Sequence, residues 1–152
     1  MRSIREVCIK DHGEDEIRGW GHRPLGDRWK DAIVSGFVWV VEHDEKIFGY
    51  GYITVPSSPD ESQAYIHGLY LAPEVLSLGF GKKLIHLMLE KACDAGVARV
   101  SLHSSLTGHD FYKKFGFVDA GPKMKVEIGG HPVTCIPMEL RLQTDGSEAS
   151  AD

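Results

Sequence analysis

Cysteine, excess basic charge and long apolar runs are all scarce in this chain, and each scarcity removes a class of function. The three cysteines, Cys8, Cys93 and Cys135, have neither paired nor metal-ligand spacing. An odd count, with Cys93 inside a helical pattern, suits reduced thiols in a cytoplasmic setting. The eight histidines form no His-Glu-x-x-His pattern, so no metal is expected. Lys and Arg total 17 against 22 Asp and Glu, a formal net charge of -5, which argues against a nucleic-acid partner. No apolar run approaches the roughly 20 residues of a membrane span. Met1-Arg2-Ser3 leads into a strand-like segment instead of a signal peptide, so no membrane partner is expected either.

What remains is an ordinary globular composition, with 42% apolar and 26% charged residues in 152. That length is one domain by size. The expected boundaries are a domain over 1–141 and a disordered tail over 142–152, where Ser, Ala, Gly and acid leave little to bury. The pattern predicts a first strand over Ile4–Lys10, then helices over Glu14–Trp20 and Asp27–Val34 separated by Gly19, Gly21, Pro24 and Gly26. Phe37–Glu42 and Ile47–Val55 read as a hairpin about a polar turn, with Tyr50 and Tyr52 on one face and Gly49 and Gly51 on the other. Strands over Gln63–Leu71 and Val97–His103 flank a long helix that Gly96 ends. Thr107–Phe115 reads as a short helix, Phe117-Val118 as the start of a strand, and Lys123–Ile128 with His131–Leu140 as a hairpin about Gly129-Gly130. The fold class is therefore mixed α/β.

The turn into the long helix carries the chemistry. Gly79-Phe80-Gly81-Lys82-Lys83 follows the buried-looking strand that Pro73 closes, and Leu84, Leu87, Met88 and Ala92 then fall on one helical face. A helix start exposes unpaired N–H groups and positive potential, and glycines let an anion approach the backbone. Lysines in a first turn oppose the helix dipole, which suggests that something negative binds there. Taken alone, Gly-x-Gly is more simply a turn, and the lysines a solvated face. The stretch lacks the third glycine of the dinucleotide fingerprint, and Lys83 stands where a phosphate-binding Walker loop needs Ser or Thr.

Two motifs together with the element order resemble the GNAT superfamily of acetyl-CoA-dependent N-acetyltransferases. Leu69-Tyr70-Leu71-Ala72-Pro73 followed by Gly79-Phe80-Gly81 is similar to the family's strand end and pyrophosphate loop. Phe111-Tyr112-Lys113-Lys114-Phe115-Gly116-Phe117 is similar to its Phe-Tyr-x-x-x-Gly-Phe. The resemblance covers roughly residues 2–140 and implies a central, mostly antiparallel seven-stranded twisted sheet with about four helices. It implies that acetyl-CoA lies along Leu69, Tyr70 and Leu71, with its pyrophosphate on the backbone of Leu78, Gly79, Phe80, Gly81, Lys82 and Lys83. Leu76 holds the family's Gln/Arg position, so a side-chain phosphate contact is lost there. Ser105 stands where many members have Asn, as a weaker polar contact, and Phe111 and Tyr112 complete the cofactor side. Pro137 removes a ladder donor in the last strand, where a bulge is expected. Homodimers are common in the family.

Acetyl transfer to an amine requires a neutral nucleophile, a stabilised carbonyl oxygen and a protonated leaving thiolate. His67 is the candidate base: it precedes Leu71 by four residues, which predicts a shared strand face, with Tyr65 a second polar group there. A hydrogen-bonded core histidine is the competing reading. The resemblance implies that the N–H of Leu71 serves the oxyanion where two parallel strands splay, and that Tyr112 is the general acid, against the alternative of a packed aromatic. It also places acceptor entry between Trp20–Lys30 and Ile128–Pro132. Trp20, His22 and Trp29 would line it, while Glu14, Asp15, Glu16, Asp27 and Asp31 would draw a cationic amine, although core tryptophans and a solvated acidic face are the simpler reading for most of these. Three functions compete: an N-acetyltransferase for a small-molecule amine acting through a ternary complex, which is preferred; a protein or peptide N-acetyltransferase; and a non-catalytic acyl-CoA-binding module.

Overall fold

The computed structural model describes residues 6–21, 36–58, 61–128 and 130–143. Helix α1 (Glu14–Gly21) precedes strands β1 (Phe37–His43), β2 (Lys46–Thr54) and β3 (Gln63–Leu71). Helix α2 (Phe80–Asp94), β4 (Arg99–Ser105) and helix α3 (His109–Lys114) follow, and then β5 (Val118–Asp119), β6 (Met124–Ile128) and β7 (His131–Arg141). The seven strands form one sheet in the order β1-β2-β3-β4-β7-β5, with β6 also on β7. Among the described residues only β3 and β4 pair in parallel; the other pairings are antiparallel. The expected helix over residues 27–34 and the tail from residue 144 lie outside the described residues. Among those described, no helix is long and apolar enough to cross a membrane.

One face of the sheet carries the main core. Ile53, Ala64, Ile66, Val100, Leu102 and Met138 pack there against Ile85, Met88 and Ala92 of α2. Of the predicted apolar face Leu84, Met88 and Ala92 are buried, while Ile85 is buried in place of the half-buried Leu87. Gly51 is what lets α2 come down onto β2. A Cβ there would stand 3.3 Å from Met88 Cε and 3.5 Å from Leu84 Cδ2. The chain turns out of α2 through Gly96 at φ 71, a left-handed residue just past the helix end as the sequence predicts. Leu142 still belongs to the fold: its N–H donates to Ala98 C=O at 2.8 Å and its side chain packs against the core.

Two local expectations are corrected. Within the predicted first strand, Cys8–Lys10 form a 3-10 turn instead. The N–H groups of Asp11 and His12 both donate to Cys8 C=O at 3.0 Å. The turn buries Cys8 with Ile17 and Val133, and that burial outweighs a weak strand pattern. The second correction concerns Pro137. The β4–β7 register runs without a shift from Arg99↔Arg141 to Ser105↔Cys135, so there is no bulge in that ladder. Pro137 C=O accepts from Ala120 N–H at 2.8 Å, which turns both backbone groups of Pro137 away from β4. They face the junction where β5 has ended and β6 begins at Met124↔Cys135. The missing donor falls on a gap in the ladder.

Candidate active site

The site begins where β3 and β4 part. Their parallel pairing runs from Gln63↔Arg99 only as far as Ile66↔Leu102, although β3 continues to Leu71 and β4 to Ser105. Ala72 N–H donates to Phe48 C=O at 2.6 Å, so the Phe48/Ala72 pair is a hydrogen-bonded one. Alternation then turns the N–H of Leu71, opposite Gly49, away from β2 and into the opening.

At the neighbouring helix start, Gly79 caps α2 at φ 88 with no side-chain hydrogen bond and no acidic residue in the first turn. The first helical bond is Lys83 N–H to Gly79 C=O at 3.1 Å, which leaves the N–H groups of Phe80, Gly81 and Lys82 without intrahelical acceptors. The two glycines differ in purpose. Nothing lies within 4 Å of a Cβ added to Gly79, whereas at Gly81 it would stand 3.1 Å from Phe111 Cε2 and 3.5 Å from Leu71 Cδ1. Gly79 supplies the left-handed turn and open space, and Gly81 lets α2, Phe111 and Leu71 close up. Lys82 and Lys83 are exposed. Leu76 and Leu78 are exposed at 39% and 65%, so neither side chain supplies a polar contact, and the backbone amides are what these two positions offer.

Tyr112 is buried in the main core beside Phe111 and Phe117. Burial, and then the neighbouring Tyr70 and Tyr65 phenols, push its ionisation well above the ordinary value, so at neutral pH it holds its proton. Ser105 Oγ accepts Gly108 N–H at 3.0 Å and Gly108 C=O accepts Tyr112 N–H at 3.1 Å. Ser105 thus organises the start of α3.

The predicted shared face of His67 and Leu71 is corrected. The β2–β3 register shifts between Tyr52 and Ile53, so His67 is an extra residue in β3, a bulge. Ala64, Ile66 and then Leu69 face the main core, a step of two followed by a step of three. Leu71 lies on that core side against Gly81. Tyr70 packs on the opposite side with Cys8, Ile17 and Val133, so only its backbone borders the splay as expected of the cofactor side. His67 projects with Tyr65, their rings 4.7 Å apart, stacks on Tyr52 at 4.5 Å and meets Thr54 Oγ1 at 2.9 Å through Nε2.

His103 belongs to no motif that the sequence displays. Its Nδ1 is hydrogen-bonded to Tyr65 Oη, and burial holds the Tyr65 phenol above its ordinary value. The available signal was alternation in β4: Val100 and Leu102 point to the core, which leaves Ser101 and His103 on the polar face with Tyr65.

Glu16 is a correction of another kind. It is not free to draw a cationic amine, because Oε2 meets His12 Nδ1 at 2.8 Å while Oε1 accepts from Thr134 Oγ1 at 2.7 Å and Lys125 Nζ at 3.1 Å. Burial raises its pKa, but the bonds from His12, Thr134 and Lys125 together outweigh burial and hold it at about 2. Glu14 is exposed, and Asp15 is an exposed partner of Arg18 at 3.9 Å. The side chain of Trp20, and His22, Asp27, Trp29 and Asp31, lie outside the described residues.

A splayed parallel pair beside an uncapped helix start leads to the comparisons with known proteins. The Acetyltransferase (GNAT) domain model matches residues 8–142. The chain belongs to the GNAT acetyltransferase family. An uncharacterized N-acetyltransferase, ycf52 of Pyropia yezoensis, is 26% identical over 104 residues, 66% of this chain and 58% of that protein, so the chain spans somewhat over half of this relative. An acetyltransferase from Bacillus cereus is 30% identical, covering 70% of this chain and 73% of its own at a TM-score of 0.56. The PaiA N-acetyltransferase of Thermoplasma acidophilum, solved in complex with coenzyme A, shares the fold at a TM-score of 0.70 and 18% identity, covering 93% of this chain and 87% of its own. The GNAT fold expected from the sequence is the fold observed.

Proposed function

We propose that the protein transfers an acetyl group from acetyl-CoA to the primary amine of a small-molecule acceptor, by direct attack within a ternary complex. The observation that carries this reading is the β3–β4 splay set against the uncapped start of α2. The coenzyme A bound by the Thermoplasma relative supports the cosubstrate. In this reading the amides from Leu78 to Lys83 hold the pyrophosphate, assisted by the charges of Lys82 and Lys83. Leu69, Tyr70 and Phe111 border the acyl arm, and Leu71 N–H donates to the thioester oxygen as charge builds on it.

Tyr112, kept protonated by burial, gives its proton to the departing sulfur. The incoming amine loses its proton to the polar patch of His67 and the Tyr65–His103 pair. The two buried thiols do not favour an acyl-enzyme: burial pushes both Cys8 and Cys135 upward, away from the thiolate such an intermediate would need.

A second reading, in which a protein N-terminus or lysine is the acceptor, draws on the exposure of His67 and His103. Thiol release from acetyl-CoA, measured across a panel of small amines and peptides, tests both. Turnover confined to small amines is expected; turnover confined to peptides favours the second. Binding of acetyl-CoA with no turnover on any acceptor would leave a non-catalytic module.

A further inference from the structure

Among the described residues, His12 is a buried polar side chain that this chemistry leaves unused. Its side chain has no exposed surface, yet both ring nitrogens are engaged. Leu106 N–H donates to Nε2 at 3.2 Å. A backbone N–H can only donate, so Nε2 carries the lone pair and the proton sits on Nδ1, which donates to Glu16 Oε2 at 2.8 Å. The tautomer is fixed by its two neighbours.

These neighbours belong to elements far apart in the chain, Glu16 to α1 and Leu106 to the turn after β4. Leu106 follows β4 directly, next to Ser105, whose hydroxyl holds Gly108, whose carbonyl holds Tyr112 N–H. The Tyr112 ring also rests on Gly108, where an added Cβ would meet Cε2 at 3.4 Å. Glu16 in turn holds Thr134 on β7 and Lys125 on β6. We propose that His12 is a positioning residue for acetyl transfer. By accepting from Leu106 N–H it fixes the β4–α3 turn, and so the Tyr112 phenol, while the bond to Glu16 keeps the proton on Nδ1 and the lone pair on Nε2. The proposal rests on the acetyltransferase reading above. Imidazole suits the place because it accepts at one end and donates at the other; without it the half-buried Leu106 N–H would lose its acceptor.

Two substitutions divide the two bonds. In His12→Gln the amide reaches the Nε2 position and its oxygen can accept from Leu106, while the Glu16 bond is lost. In His12→Asn the amide nitrogen takes the Nδ1 position and serves Glu16, while Leu106 N–H loses its acceptor. A displaced reacting group commonly costs on the order of 10²-fold. We expect His12→Asn to lower kcat by about tenfold or more and to speed Leu106 amide exchange, while His12→Gln keeps kcat within about threefold and Leu106 protected. Melting temperatures are read alongside. Equal kcat in the two variants, or kcat that falls in step with melting temperature in both, overturns the proposal.

Imidazole 15N shifts of the unaltered protein should show Nδ1 protonated; an Nε2-protonated ring also overturns it, whether or not the variants fold. If the unaltered protein acetylates no amine, the function reading fails separately. Leu106 exchange and the ring tautomer then still decide whether His12 holds the turn.

Discussion

Tyr65 and His103 are hydrogen-bonded to each other at the vertex of the splay. Tyr65 lies in the last stretch of β3 still paired with β4, and His103 is the first residue of β4 beyond that pairing. The bond therefore closes the polar face of the sheet at the point where the backbone ladder opens. It also brings a third ring to the pair, because His67 meets Tyr65 edge-on.

If this patch takes the amine's proton, the three side chains will not contribute equally. His67 has one nitrogen committed to Thr54, whereas the Tyr65 phenol, held up by burial, relays naturally to His103. Tyr65→Phe and His103→Asn should each lower kcat/KM for the amine by about 10- to 100-fold, within the range of general base effects, and leave acetyl-CoA affinity nearly unchanged. His67→Asn made in parallel assigns the base. A loss in His67→Asn alone, with the other two at wild-type rate, would return the role to His67.

Tyr112→Phe removes the phenol and leaves a ring of the same shape in the core. Its turnover should fall by about 10²-fold, while acetyl-CoA binding by calorimetry changes by less than about threefold and melting temperature moves little. Unchanged turnover would mean that Tyr112 is only a packed aromatic between Phe111 and Phe117.

Much of this site could be read from residue order, because strand alternation, the glycine turn and the Phe-Tyr-x-x-x-Gly-Phe helix are local patterns. What could not be read is set by partners in space. The bulge at His67 exists because β2 advances one residue while β3 advances two, and nothing in Tyr-Ile-His-Gly-Leu-Tyr announces it. Pro137 is disruptive by sequence alone, yet the ladder on its N–H side stops there, between β5 and β6. Glu16 looked like one more surface acid on α1. Its partners Lys125 and Thr134 come from more than a hundred residues further along the chain, and no local pattern links such positions.

The two glycines at the α2 start should fail in different ways. Gly79→Ala meets open space but must hold φ near 88, which costs about 1–2 kcal/mol for an L-residue. It should lower the melting temperature and keep most coenzyme A affinity. Gly81→Val should instead crowd Phe111 and Leu71 and lower turnover more than the stability loss explains. Calorimetric titration with coenzyme A and thermal melts separate them; matched losses of stability and turnover in both variants would mean that neither glycine has a specific part in the site.

Glu16 gives the fold a defined acid limb. Its folded pKa of about 2 lies below the ordinary 4.5, so the folded protein binds the carboxyl proton more weakly than the unfolded chain does. The stability tied to its ionised form is fully present above about 4.5 and is lost as pH falls from there through about 2. Glu16→Gln removes the titration and also leaves His12 Nδ1, Thr134 and Lys125 without a charged acceptor. Urea midpoints at pH 7, 5, 4 and 3 should therefore show the variant less stable at neutrality and flatter between pH 4.5 and 3 than the unaltered protein. Because Glu16 ties α1 to the β6–β7 hairpin, its loss at neutrality should also loosen Thr134 amide protection. Parallel acid limbs in the two proteins would place the titrating group elsewhere, and unchanged Thr134 exchange would mean that the hairpin does not depend on this carboxylate.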